Sequence, residues 1–179
     1  MPGPFRAIFC VVSFGLFALP VAAGGTDLAE IVANGGCPGC DLSLAEMRGV
    51  SLSGANFARA DLREADLKGA SLADAIFVRA DLKRVEMERA QLVGADFSLA
   101  SMRGADLEKA DLSMALFDGA DLTGADLSRA HLRRTNLSGA DLTGVRGLTE
   151  RRLALACGDA ATKLPKGFSI KPCGAGSQD

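Results

Sequence analysis

The sequence predicts an all-β solenoid whose coils are square in section. Three observations carry this. From Leu42 to Leu142 every fifth residue is Leu, Phe or Met, twenty-one times in succession with no break in register. Two residues before each stands a small side chain, nearly always Ala, as at Ala55, Ala60, Ala65 and on to Ala140. A period of five matches neither a helix at about 3.6 nor a strand at about 2.0, so the chain must turn a corner in each repeat and stack on itself. Within the run, Phe stands only at Phe57, Phe77, Phe97 and Phe117, always twenty apart. Chance would put four Phe in one such class roughly one time in 200, so four pentapeptides make one coil.

The first element is a leader. Arg6 is followed by an apolar run from Ala7 to Leu19 and then Pro20-Val21-Ala22-Ala23. This is the pattern of a secretory signal, with cleavage expected between Ala23 and Gly24. The run is too short for a comfortable span of about 20 residues, and Cys10 lacks the small residues a lipidation site needs. The mature protein is therefore expected to be periplasmic or secreted, with no stable membrane insertion. Residues 24–39 form the next segment, a cap with a short helix opened by Asp27-Leu28-Ala29-Glu30 and stopped by Gly35-Gly36.

Residues 40–146 are the repeats, each reading A-(D/N)-L-x-x. Stacked coils rise about 4.8 Å each, so just over five coils make a rod about 25 Å long. One inner wall holds Leu42, Leu62, Leu82, Met102, Leu122 and Leu142, and the next Met47, Leu67, Met87, Leu107 and Leu127. The third is all Leu: Leu52, Leu72, Leu92, Leu112 and Leu132. The fourth is the Phe column closed by Leu137. Nine repeats end in Gly, which suits type II corners, while Arg59, Arg79, Arg84 and Arg129 end others, so the corners are expected to differ.

Residues 147–179 form the C-terminal cap. Thr149 to Ala156 predicts a helix presenting Leu153 and Leu155 to the last coil, and Phe168-Ser169-Ile170 suggests a short strand. Beyond the leader lie four cysteines: Cys37, Cys40, Cys157 and Cys173. Two precede the first coil and two follow the fifth, some 25 Å away, whereas bridged Cα atoms lie within about 7 Å. The expected pairs are Cys37–Cys40 and Cys157–Cys173, which suits an oxidising compartment. The same distance rules out a four-Cys zinc site. Cys37-Pro38-Gly39-Cys40 also has the spacing of a redox couple, but it precedes a β coil rather than a helix N-terminus.

At this point the chain resembles the pentapeptide-repeat proteins, a family that folds as a right-handed quadrilateral parallel β-helix. The resemblance spans residues 40–146. It implies that the wall residue and the Ala before it point inward, the same two columns that are apolar here. The flanks, CPGCDL at Cys37 and ACGDAATKLPKGF at Ala156, resemble those of exported bacterial members.

Composition narrows function. With Arg6 removed the net charge is about −3, which fits neither a nucleic-acid binder nor a strongly acidic mimic of one. Trp and Tyr are absent and His131 is the single His, so catalytic equipment is sparse. The expectation is a non-enzymatic scaffold without cofactor. Outward columns alternate acidic (Glu46, Asp66, Glu86, Asp106, Asp126) with basic (Arg63, Lys83, Arg103), a solvated mixture with only a weak claim to divalent cations. The Phe side differs: Ile76, Val78, Leu99 and Leu116, with Met114 at the preceding corner, form a candidate surface for an unidentified protein partner or a second copy. The gyrase-protecting activity known in the family works in the cytoplasm through a strongly acidic surface and end-to-end dimers made by a C-terminal helix; this chain departs in its export signal, its near-balanced charge and the Cys-bearing tail that follows its last helix.

Overall fold

The structure, a computed structural model, describes Ile31 and residues 33–174. The expected leader and most of the expected N-terminal helix lie outside the described residues. From Gly36↔Asn56 to Asp126↔Arg146 every backbone pairing is parallel and joins residues twenty apart. Within the repeats, from Asp41 to Asp141, the bridged residue is the one before a wall residue. Its amide bonds to the coil below while the wall residue's amide bonds to the coil above. Ile76 N donates to Ala55 O at 2.9 Å, and Phe77 N donates to Asp96 O at 2.7 Å. Twenty residues therefore make one four-sided turn. We number the sides face 1 to face 4, centred on Leu62, Leu67, Leu72 and Phe77 in one coil.

The corners are alike, which corrects the expectation drawn from the Arg-ended repeats. Each corner closes with a bond from the next small residue's amide to the wall residue's carbonyl, such as Ala80 N to Phe77 O at 3.0 Å. The residue before that amide has positive φ whether it is Gly124 (70°), Arg84 (55°) or Leu99 (60°). Positive φ at this one turn position is the type II pattern. A non-Gly residue pays about 1 kcal/mol or more for it. The conformation holds because the corner amide is itself used: Arg79 N donates to Val78's counterpart in the next coil, Ser98 O, at 2.9 Å. The stack thus imposes on Arg and Leu a backbone that Gly adopts freely.

Wall residues and small residues together fill the interior. Phe57, Phe77, Phe97 and Phe117 are all buried, with successive ring centroids 5.4, 4.9 and 4.9 Å apart and nearly parallel planes. One small position carries a polar group: Thr135 is fully buried, and its hydroxyl donates to Leu112 O at 2.9 Å. Sequence reasoning passed over it because Thr fits the small-residue column by size.

At the N-terminal end Ile31 is buried against the core, and Gly36 N donates to Ile31 O at 2.9 Å. At the other end helix α1 spans Glu150–Leu153, capped by the Thr149 side chain. Two expectations are corrected here. The helix stops at Leu153, which is buried, and Leu155 is 51% exposed. The chain leaves the helix to rejoin the ladder: Leu155 O accepts from Arg134 N at 2.7 Å and Cys157 O from Leu137 N at 2.8 Å. The tail pairs at Lys163, opposite Asp141, and at Pro172, opposite Gly158, rather than at residues 168–170. Cys173 is bonded to Cys157, and Phe168 and Ile170 pack as half-buried side chains against the core.

Candidate interaction surface

The Asp or Asn before each wall residue has a local task that the charge columns concealed. Its carboxylate or amide oxygen accepts from the amide two residues on: Asp106 from Glu108 at 2.9 Å, Asp111 from Ser113 at 3.0 Å, Asn136 from Ser138 at 2.9 Å. These Asx bonds stiffen the approach to each corner. They also draw carboxylates down: the Arg63 guanidinium holds Asp61 below the usual range, and the Thr143 hydroxyl with Lys163 holds Asp141 at about 2.

Charges are not spread evenly round the rod. The ion pairs among the described residues lie on faces 1 and 2, their flanking corners and the tail beside face 1. Examples are Lys68–Glu86 at 2.6 Å, Lys83–Asp81 at 2.9 Å, Arg103–Asp121 at 3.2 Å and Lys163–Asp141 at 2.9 Å. The acidic columns are therefore engaged by neighbouring bases, and no group of three or more His, Cys, Asp or Glu able to hold a metal is found among the described residues. Exposed pairs of this kind stabilise by about 1 kcal/mol at most.

Faces 3 and 4 carry no ion pair among the described residues. Their outward positions in the middle coils are Ser71, Ala73, Gln91, Val93, Asp111 and Ser113 on face 3, and Ile76, Val78, Asp96, Ser98, Leu116 and Asp118 on face 4. Ile76, Leu99, Met114 and Leu116 are exposed and Val78 is half-buried. Ile76 and Leu116 share a column, with Asp96 between them, and Asp96 is turned onto Ser98. Leu99 and Met114 occupy the corners on either side of face 4, and the Leu99 side chain leans over Gly119. The five residues named from sequence thus share one side of the rod, in bands rather than as an unbroken sheet.

The cysteines sit at the two ends, Cys37 bonded to Cys40 and Cys157 to Cys173, with Cα separations of 5.6 and 4.8 Å. Cys40 is 2% exposed and takes the inward small-residue place of the first repeat, an anchoring position with little room for a thiol to meet a substrate.

Eight copies of the pentapeptide-repeat model match the chain, over residues 40–77, 60–98, 75–113 and 110–146. The chain belongs to the pentapeptide-repeat family. A solved pentapeptide-repeat protein from the thylakoid lumen of Arabidopsis thaliana is 34% identical, aligned over 65% of this chain and 83% of its own, with a TM-score of 0.59. HetL, involved in heterocyst differentiation regulation in the cyanobacterium Nostoc sp. strain PCC 7120, is 28% identical over 59% of this chain and 61% of its own, with a TM-score of 0.26. QnrB1, a plasmid-mediated fluoroquinolone resistance protein, is 26% identical over 67% and 77%, with a TM-score of 0.30. No curated protein matches the chain. As a pentapeptide-repeat protein the chain is a right-handed quadrilateral β-helix, and members of the family are generally structural or interaction scaffolds rather than enzymes. No helix among the described residues is long and apolar enough to cross a membrane.

Proposed function

We infer that this pentapeptide-repeat protein is an exported, non-enzymatic scaffold that holds a protein partner against face 4. In this reading residues 24–39 and 147–179 are caps, partly helical, closing a rod of about five coils. The observation that carries it is the contrast around the rod: charges pair with one another on faces 1 and 2, while Ile76, Leu99, Met114 and Leu116 are exposed together where no ion pair competes for water. Exposed apolar groups that share one side, rimmed by polar residues, mark contact surfaces. Export is supported by the Ala7–Leu19 run with its Ala23 cleavage pattern, and by two disulfides. The lumenal location of the Arabidopsis relative agrees with it.

Replacing Ile76 and Leu116 together by Glu tests the surface. Both are exposed, so the circular dichroism spectrum should be unchanged while association with an envelope partner, read by cross-linking and sedimentation, is lost. Association equal to wild type would reject the role of face 4. Export has its own test: cell fractionation with N-terminal sequencing should give a chain starting at Gly24 outside the cytoplasm. A full-length cytoplasmic chain would remove that part of the reading.

A further inference from the structure

The C-terminal end of face 3 has a character of its own. The last full repeat there reads Ala130-His131-Leu132-Arg133-Arg134, with Arg129 at the corner that leads into it, and Arg129, His131, Arg133 and Arg134 are all exposed. Among the described residues none of these three arginines closes an ion pair; Arg129 acts on Glu108 only at a distance, helping to lower its pKa, and Arg133 and Arg134 stand clear of the paired faces. Nearby acids are few: Asp111 is stacked beneath His131 and accepts from its own Ser113 amide, and Glu150 opens α1. The protein as a whole is slightly acidic, at −2, so the positive end is a local feature.

Two exposed apolar side chains stand at the same place. Leu155 O accepts from Arg134 N at 2.7 Å, which ties Leu155 to the corner. Met114 lies one coil below Arg134 in that corner column, and its amide donates to Arg133 O at 2.8 Å. Leu155 is 51% and Met114 49% exposed. A corner is convex, so these side chains project from the rod rather than line a groove.

We propose that this end is a contact site for an anionic bilayer surface: Arg129, Arg133 and Arg134 meet phosphate headgroups while Leu155 and Met114 enter the interface. Basic residues beside projecting apolar ones are the chemistry of interfacial binding, and each arginine near an anionic surface strengthens it roughly five-fold. A soluble acidic protein would match the charge but would need a pocket for the two projecting side chains. The site shares Met114 with the face 4 surface, but the variants that test it, at Arg133, Arg134 and Leu155, lie outside that surface, so the two readings fail separately.

Co-sedimentation of the full chain with vesicles tests it, using phosphatidylcholine alone or with a third replaced by phosphatidylglycerol. All arms keep residues 1–23, so any lipid affinity of Ala7–Leu19 is common to them. The expected result is a phosphatidylglycerol-dependent increment that falls at least ten-fold in Arg133→Glu/Arg134→Glu, about three-fold in Leu155→Ser, and vanishes in about 0.5 M sodium chloride. Arg59→Glu/Arg79→Glu makes the same charge change at another exposed corner without ion pairs, and should keep the increment. An increment that survives Arg133→Glu/Arg134→Glu, or is lost equally in the Arg59/Arg79 variant, would overturn the site. So would patch-dependent binding to poly-glutamate with no phosphatidylglycerol increment, which would reassign these arginines to an acidic polypeptide.

Discussion

Replacing Phe97 by Ala probes the columnar core at its centre. Phe97 is fully buried and sits between two rings, Phe77 and Phe117, each 4.9 Å away at interplanar angles of 3° and 10°. Truncating a buried Phe costs about 3–5 kcal/mol through lost transfer energy and the cavity left behind. Two stacked contacts disappear with it, each worth about 0.5–1.5 kcal/mol beyond area burial. Phe57, at the end of the column, has a single ring neighbour at 5.4 Å, so Phe57→Ala should cost less by about one such contact, near 1 kcal/mol. The chain lacks Trp and Tyr, so urea unfolding is best followed by far-ultraviolet circular dichroism with the disulfides intact. Phe97→Leu, which restores the residue used on the other walls, should recover most of the loss. A cost for Phe97→Ala below about 1 kcal/mol, or equal to that of the exposed Ile76→Ala, would refute a core built from rings in vertical register.

Other outcomes follow from the same geometry. Ala110→Leu should destabilise by about 1–3 kcal/mol or more in urea, because the small column has no space for a larger side chain. Gly36→Ala should be worse than Gly54→Ala: a Cβ at Gly36 would stand 2.3 Å from Asn56 O, while that at Gly54 meets nothing within 4 Å and pays only for its φ of 70°. About 1 kcal/mol is expected for Gly54→Ala, and equal melting temperatures for the two variants would count against the ladder contact at Gly36. Acid should destabilise the fold late: Asp61, Asp126 and Asp141 have folded pKa values below their ordinary 3.8. Depressed carboxylates add stability above the unfolded value and lose it as pH falls through the folded one, for Asp141 between 3.8 and about 2. Melting temperature should therefore hold steady down to about pH 5 and fall below about pH 4.

The core was legible because it is written twice, once every five residues and again every twenty. Leu and Phe at the walls have no alternative place to go, and Ala beside them has no alternative size. The corners were misread because sequence shows residue type, whereas φ at Arg84 or Leu99 is set by amide bonds to the coil above, which no local preference reports. The C-terminal helix was extended too far for a related reason. Ala154-Leu155-Ala156 favours helix locally, but pairing of Leu155 and Cys157 with the last repeat draws the chain away. The Asp columns were read as surface charge, and their hydrogen bonds to backbone two residues on were hidden by that reading. The side carrying Ile76 and Leu116 was visible from the twenty-residue register alone. The concentration at residues 129–134 of arginines outside the ion pairs of the described residues needed those pairs to be mapped first.

The pairing of each residue with the one twenty places on has a consequence for how such a chain can change length. Adding or removing a whole turn leaves every later side chain pointing the same way and merely lengthens the molecule. A single pentapeptide gained or lost keeps the interior apolar but rotates everything downstream by a quarter turn, taking later Phe rings off their column. In this chain, a five-residue deletion between Phe77 and Leu116 would leave a folded rod whose Ile76 and Leu116 look out at right angles to each other.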